Sequence, residues 1–205
     1  MAIFLLIRHG ENDFVGKRLA GHLPGVHLNE KGRQQAALIA NTLSKAPIKA
    51  IYSSPLERAV ETATPLAQAL NLPINLRQGL VEIDFGEWQG KTAKQLRRLK
   101  LWKTAQQTPS QVRFPGGESF VEAQQRMCQE LEAIQQNHDE KDLVVCFSHC
   151  DAISIAVAHY LGMPLDNFHR ISIDTASLTV LMLRKDSPPQ MGAINQAFEV
   201  KLEEK

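Results

Sequence analysis

Two runs contain no polar side chain from end to end, Ala2-Ile3-Phe4-Leu5-Leu6-Ile7 and Leu143-Val144-Val145-Cys146-Phe147. The first breaks abruptly into Arg8-His9-Gly10-Glu11 and the second into Ser148-His149-Cys150-Asp151. Apolar runs of this length without alternation fit strands covered on both faces, which points to a parallel sheet between layers of helix. In open sheets of that kind the carboxyl ends of the strands share one edge, and ligands bind there. Residues far apart in sequence can therefore meet at that edge.

The rest of the chain agrees with such an architecture. A polar, glycine-bearing loop from Glu11 to His27 is too long for a simple connection. Asn29 then caps a helix whose apolar positions are Ala36, Ile39, Ala40 and Leu43. Ala50-Ile51-Tyr52 reads as a second strand. After it, Ser54 as N-cap, Pro55 at the first helical position and Glu57 as the return of a capping box predict a helix start that places Arg58 in the first turn. Pro65 is expected to kink or break that helix. Strand-like residues follow at 72–76 and again at 80–88, where Glu82 is an acid among apolar neighbours. Residues 92–107 read as helical with two strongly basic turns, and Pro109, Pro115, Gly116 and Gly117 mark the loop beyond. The stretch 84–117 reads as an inserted cap. A helix over 118–136 follows, with Phe120, Ala123, Met127, Leu131 and Ile134 on one face. The helix after the second apolar run is expected to take Asp151 or Ser148 as its cap and to stop at Gly162. Residues 171–173 and 177–183 read as late strands that pair antiparallel at an edge. The expected fold is a single α/β domain over 1–205, three-layered α/β/α, with a mainly parallel sheet, one antiparallel edge and a small helical cap.

Composition removes several classes of function. A formal net charge of +1 supplies no field for nucleic acid or an anionic membrane surface. No stretch approaches the ~20 apolar residues of a membrane span. Three cysteines do not make a disulfide framework, so a reducing, cytoplasmic setting is expected. His22, His27, His138, His159 and His169 are scattered, and Cys146, His149 and Cys150 lack a second ligand pair, so no metal is expected. A cysteine nucleophile of the phosphatase type would need an arginine six residues on, where Ala152 and Ala156 stand. No cofactor-binding fingerprint is present. The oligomeric state is not legible.

What remains is the polar set at the strand ends. His9 offers a nucleophilic nitrogen, Arg8 a planar cation matched to phosphate oxygens, and Gly10 a backbone that can pass close to a ligand. Arg58 and His149 fall at the ends of the other two buried strands, and Glu82 can join from the cap side. Read without context, Arg58 would be half of a surface pair with Glu57 or Glu61, and Glu82 a surface carboxylate.

The order Leu-Ile-Arg-His-Gly-Glu (6–11), Leu-Asn-Glu-Lys-Gly (28–32), Ser-Ser-Pro-Leu-Glu-Arg-Ala-Val-Glu-Thr-Ala (53–63), Glu-Ile-Asp-Phe-Gly-Glu-Trp-Gln-Gly (82–90) and Phe-Ser-His (147–149) resembles the histidine phosphatase superfamily, with its phosphoglycerate mutase-like fold, over nearly the whole chain. The resemblance implies a phosphomonoesterase in which His9 is the nucleophile and forms a phosphohistidine. Glu82 would protonate the leaving alkoxide and later deprotonate the attacking water, while Arg8, Arg58 and His149 would surround the phosphoryl oxygens. The substrate would be a small phosphorylated metabolite, with no metal or cofactor. Where the family often has threonine or serine after the Arg-His-Gly-Glu string, this chain has Asn12, and Val15 occupies a usual asparagine position. The contact made from that loop would then fall to Asn12 or to the backbone near Gly21 and His22. Cys150 replaces a usual glycine; it is read as an inert packed thiol, the alternative being an oxidation-sensitive one. Phe14, Lys17, Arg18, Phe85, Trp88, Arg113 and Phe114 are further residues able to line a pocket. A cofactor-dependent phosphoglycerate mutase is the alternative activity, and a non-catalytic binding module the alternative class. The Glu-Ile-Asp-Phe-Gly-Glu-Trp pattern is more like the phosphatase branches and favours hydrolysis.

Overall fold

The computed structural model describes residues 2–184 and 187–198. The chain runs β1 (Ala2–Arg8), α1 (Glu30–Leu43), β2 (Ile48–Ser53), α2 (Glu57–Leu70), β3 (Ile74–Leu76), α3 (Ala93–Leu96), α4 (Trp102–Gln107), α5 (Phe120–Gln135), β4 (Leu143–Ser148), α6 (Cys150–Tyr160), β5 (Leu178–Leu183) and β6 (Gln190–Met191). The strand order is β3-β2-β4-β1-β5-β6, with β1, β2, β3 and β4 parallel and β5 antiparallel to β1. The two polar-free runs are the central pair, β1 beside β4. Their alternate side chains explain the lack of polar residues. Phe4, Leu6, Val144 and Cys146 pack on Met127, Leu131 and Ile134 of α5 and on Ile153 and Val157 of α6. Leu5, Ile7, Val145 and Phe147 pack on Ile39 of α1 and Leu66 of α2 across the other face. This is the three-layer arrangement with a mainly parallel sheet expected from the sequence.

Several local expectations need correction. Ser54 does not cap α2: the helix begins at Glu57 with Leu56 as its boundary and no side-chain cap. The Ser54 hydroxyl instead accepts from Leu56 N–H and meets His149. Helix α2 runs through Pro65 unbroken, because Ala63, Leu66 and Ala67 on one face bury against the sheet. The cap of α6 is His149 rather than Ser148 or Asp151. Residues 92–107 split into α3 and α4, and 171–173 form no strand. Nor do residues 80–88, where one turn of 3-10 helix ends at Leu80 and another spans Gly86–Trp88. The segment between these turns is held by a side chain: the Arg126 guanidinium on α5 donates to the carbonyls of Gly79, Val81 and Glu82 at 2.8, 3.2 and 3.2 Å. A strand ladder is not needed when one cation satisfies three carbonyls.

Residues 84–117 pack as short helices and turns. Phe85, Trp88, Leu96, Val112 and Phe114 form one buried cluster with Phe120 and Ala123 of α5 and with Ile155 and Ala158 of α6. The segment thus shares its core with the helical layer beneath it. No helix among the described residues is long and apolar enough to cross a membrane.

Candidate active site

The register of the three parallel strands places the site. Arg8 is opposite Ser148, Ser53 is opposite Phe147, and His9 N–H donates to the Ser148 carbonyl at 3.0 Å. His9, His149 and Arg58 therefore converge at the carboxyl edge, and the His9 and His149 ring centroids stand 5.2 Å apart. The chain can turn sharply after His9 because two glycines meet there. A Cβ on Gly10 would lie 2.7 Å from the Gly32 carbonyl oxygen, and one on Gly32 would lie 2.1 Å from the Glu11 carbonyl oxygen. The first turn of α1, capped by the Asn29 side chain on Gly32 N–H at 2.9 Å, presses directly on the chain that follows the histidine.

His9 is 4% exposed, and its Nδ1 lies 2.7 Å from the Gly10 carbonyl. A carbonyl only accepts, so Nδ1 carries the proton and Nε2 keeps its lone pair. Burial, then Arg58 and Arg8, hold the imidazole well below its ordinary value and so neutral. His149 is fully buried and held low by burial first and then by Arg58. Its Nε2 lies 2.8 Å from Ser54 Oγ. That oxygen also accepts from Leu56 N–H, and where its own proton goes to Nε2 the imidazole proton sits on Nδ1. Among the described residues Nδ1 is buried with no partner.

Other donors share that condition. Arg58 is 1% exposed; one Nη2 bond goes to the Gly21 carbonyl at 2.7 Å, while Nε and Nη1 are buried and unpartnered. Arg8 anchors on the Ile173 carbonyl at 2.6 Å, and its Nε is unpartnered. Asn12 turns its Oδ1 to the N–H groups of Phe14 and Val15 and leaves Nδ2 unpartnered. Buried donors left open cost about 1–3 kcal/mol each unless something accepts from them. Grouped N–H donors of this kind are matched by an anion with several oxygens. Arg58 is not in the surface pair that its spacing allowed, because Glu61 bonds His27 and Glu57 bonds Gly25 N–H.

Glu82 reaches the site from the Arg126-held segment. Its Oε1 accepts from Ile83 and Ala152 N–H, both at 3.0 Å, and its Oε2 lies 3.4 Å from Asp151 N–H. The carboxyl is thus fixed on the N-terminus of α6 through one oxygen, and the other is only loosely held.

A cavity of about 190 Å³ is lined by Arg8, His9, Asn12, Gly21, Arg58 and Glu82 and by Phe14, Arg18 and Phe85, while the fully buried His149 stands behind His9 and is not in the lining. Lys17, Trp88, Arg113 and Phe114 are not in its lining. Trp88 and Phe114 are core residues, and Arg113 pairs with Glu122. Gly21 contributes its carbonyl to Arg58. His22 stands behind the cavity, its Nε2 2.6 Å from the Glu82 carbonyl and its N–H taken by the Gln89 side chain. The His22 imidazole is therefore a support for the Glu82 segment, and its backbone N–H is engaged by Gln89. Cys150 bonds the Ile173 carbonyl, and burial pushes its thiol up to about 12, which makes it a poor thiolate at neutral pH. Sequence reasoning missed Arg126 and Gln89. Gln89 lies inside the motif at 82–90 and was in that sense within reach, whereas Arg126 carried no signal.

The family model of the histidine phosphatase superfamily, branch 1, matches residues 4–196. Phosphoserine phosphatase 1 of Hydrogenobacter thermophilus is 30% identical over 190 residues, 90% of this chain and 88% of that protein. The 2,3-bisphosphoglycerate-dependent phosphoglycerate mutase of Thermoplasma acidophilum is 30% identical over 203 residues, 98% of this chain and 97% of that protein. Among solved structures, a mutant phosphoserine phosphatase of Entamoeba histolytica in complex with phosphoserine superposes with a TM-score of 0.82 at 29% identity, covering 95% of this chain and 97% of that chain.

Proposed function

We propose a role for each residue of this cavity from one premise: the chain belongs to the histidine phosphatase superfamily, and it is a phosphoric monoester hydrolase. The observation that carries the assignment is the tautomer of His9. With Nδ1–H committed to the Gly10 carbonyl, the Nε2 lone pair attacks phosphorus and the bond from phosphorus to the ester oxygen breaks. Glu82 gives its proton to the departing alkoxide from Oε2, the loosely held oxygen, and the alcohol leaves. A water then attacks the phosphohistidine, Glu82 takes its proton, the N–P bond breaks and its electron pair returns to Nε2 as phosphate departs. Charge on the transferring group spreads over three oxygens, and the open donors of Arg8, Arg58, Asn12 and His149 fit that charge without having to reorient.

The substrate proposed is a small phosphorylated metabolite, in keeping with the grouped donors of the cavity and with the phosphoserine bound by the Entamoeba relative. Residues 84–117 are proposed to act as a cap, because Phe85 reaches the cavity while its neighbours anchor the segment. The cytoplasm is the proposed compartment, in keeping with three free cysteines. The mutase alternative has the Thermoplasma relative behind it, and the two activities separate by product: hydrolysis releases phosphate, whereas isomerisation retains it and needs a bisphosphate primer. The test is phosphate release from a panel of small phosphomonoesters, p-nitrophenyl phosphate included, with EDTA present. Release is expected from the wild type and is expected to vanish in His9→Ala. Release that survives the substitution rejects the assignment of the nucleophile, and an isomer with no free phosphate transfers the reading to the mutase.

A further inference from the structure

Two charges in the cavity have no part in the phosphoryl chemistry, Arg18 at the rim and Asp151. Asp151 stands two residues after His149, in the first turn of α6, and lines the cavity beside Arg8, Glu82 and Cys150. A carboxylate is the wrong charge for a phosphate cradle, so its position relative to the leaving group decides what it meets. Its N–H lies 3.4 Å from Glu82 Oε2, the oxygen assigned to the leaving alkoxide. With Glu82 as the proton donor, a residue beside Oε2 lies on the side of the cavity where the alcohol leaves. Among the described residues its carboxylate has neither a hydrogen bond nor an ion pair. Burial and Glu82 together outweigh Arg8 and push the carboxyl above the usual carboxylate range. A half-buried acid in that position is short of one positive charge.

We propose that Asp151 is a specificity-determining residue that receives an ammonium group on the alcohol portion of the substrate, so that esters of amino alcohols are selected over esters of hydroxy acids. The proposal rests on the phosphomonoesterase reading above and adds the class of alcohol. When the ester oxygen lies at Glu82, an ammonium one or two carbons further along donates to the Asp151 carboxylate and completes a pair. A carboxylate on the same carbons meets a like charge, which costs affinity without any clash of shape. An acid in the first turn of α6 also favours the helix dipole. That structural role would change stability, or turnover of every ester alike, but not the ratio between two esters.

The test measures kcat/KM for phosphoethanolamine and phosphoglycolate, two-carbon esters that end in an ammonium and a carboxylate, with p-nitrophenyl phosphate as the uncharged reference. The wild type is expected to prefer phosphoethanolamine by about tenfold or more. Asp151→Asn is expected to reduce that preference by about tenfold relative to the reference ester, and Asp151→Glu to retain its direction. A wild-type ratio near one or in favour of phosphoglycolate overturns the proposal. So does a ratio that Asp151→Asn leaves unmoved. If p-nitrophenyl phosphate is hydrolysed in a His9-dependent way while the ratio fails, only the ammonium site falls; if no ester is hydrolysed, both readings fall.

Discussion

His9 on the cavity floor and His149 directly beneath it are 4% and 0% exposed and continue directly from β1 and β4, where backbone hydrogen bonds fix their main chain. The rim is built by other means. Phe14 and Arg18 stand on a loop of turns, and Phe85 sits at the start of a 3-10 turn. The loop is tied to residues 90–92 by the Arg18–Thr92 bridge and by backbone hydrogen bonds of Leu19 with Gly90 and Lys91, and Phe85 is anchored by its ring in the buried cluster with Phe114. Glu82 belongs to neither region. It must reach the floor's chemistry from a segment with no ladder, and Arg126 substitutes for one. The contrast shows that groups acting on phosphorus are positioned by the sheet, while groups acting on the alcohol are positioned by side chains. The second kind of support is easier to damage and easier to vary.

The sharpest way to break that division is to remove the proton donor and leave the floor intact. In Glu82→Gln, kcat on alkyl esters is expected to fall by about 10²–10⁴-fold. The fall is expected to be far smaller on p-nitrophenyl phosphate, whose leaving group departs without a proton. Steady-state kinetics on the two esters checks this, and an equal loss on both would place Glu82 among the phosphate-binding groups instead. A smaller effect comes from Arg126→Ala, which leaves three carbonyls to find water and frees the Glu82 segment. We expect about 2–3 kcal/mol less stability by denaturant unfolding and roughly tenfold lower kcat on alkyl esters, with partial rescue by Arg126→Lys. Full activity in Arg126→Ala would mean that the His22 contact alone holds the segment.

The mildest test alters no residue. Burial, Arg58 and Arg8 hold His9 low, and burial and Arg58 hold His149 low, whereas the hydrogen bond to Glu61 raises His27. In NMR titrations of the free protein, the two floor histidines are therefore expected to stay neutral through the ordinary value of about 6.5, and His27 to stay protonated above it. The unfolded chain binds protons on residues 9 and 149 at about pH 6.5, where the folded chain refuses them. Their contribution to stability is thus present above that pH and lost as pH falls below it. Asp151 acts in the opposite sense: its raised value favours the fold at low pH, and that advantage is lost as pH rises through the ordinary carboxylate range and beyond. A floor histidine titrating at an ordinary pH would show that water reaches it as freely as it reaches the rim.

The same division explains what could be read before any coordinates. Arg8, His9 and His149 were legible as a set: an Arg-His-Gly string alone reads as an ordinary strand exit, but two strands buried on both faces both end in such residues on one sheet edge. Arg58 was legible through its place one helical turn after a strand. The capping signals around Ser54 misled, since the hydroxyl that looked like a helix cap is engaged with His149. Glu82 was found only through its resemblance to a known motif: the residues from Leu80 to Trp88 look like a strand, and apolar composition alone does not report that a distant arginine has replaced the ladder. Arg126 gave no signal, because a cation between core positions of an amphipathic helix has the same pattern whether it faces water or a set of carbonyls.

The contact between Gly10 and Gly32 has a consequence for how such an enzyme can be altered. Inside a helix, alanine in place of glycine ordinarily gains about 1 kcal/mol; at Gly32 the added methyl would press on the Glu11 carbonyl and move the nucleophile. Substitution tables drawn from helix propensity thus carry the wrong sign at this position. Gly10, Glu11, Asn29 and Gly32 form one contact unit, and a library aimed at new esters has its useful freedom elsewhere, in residues 13–20 and the exposed positions of 84–117.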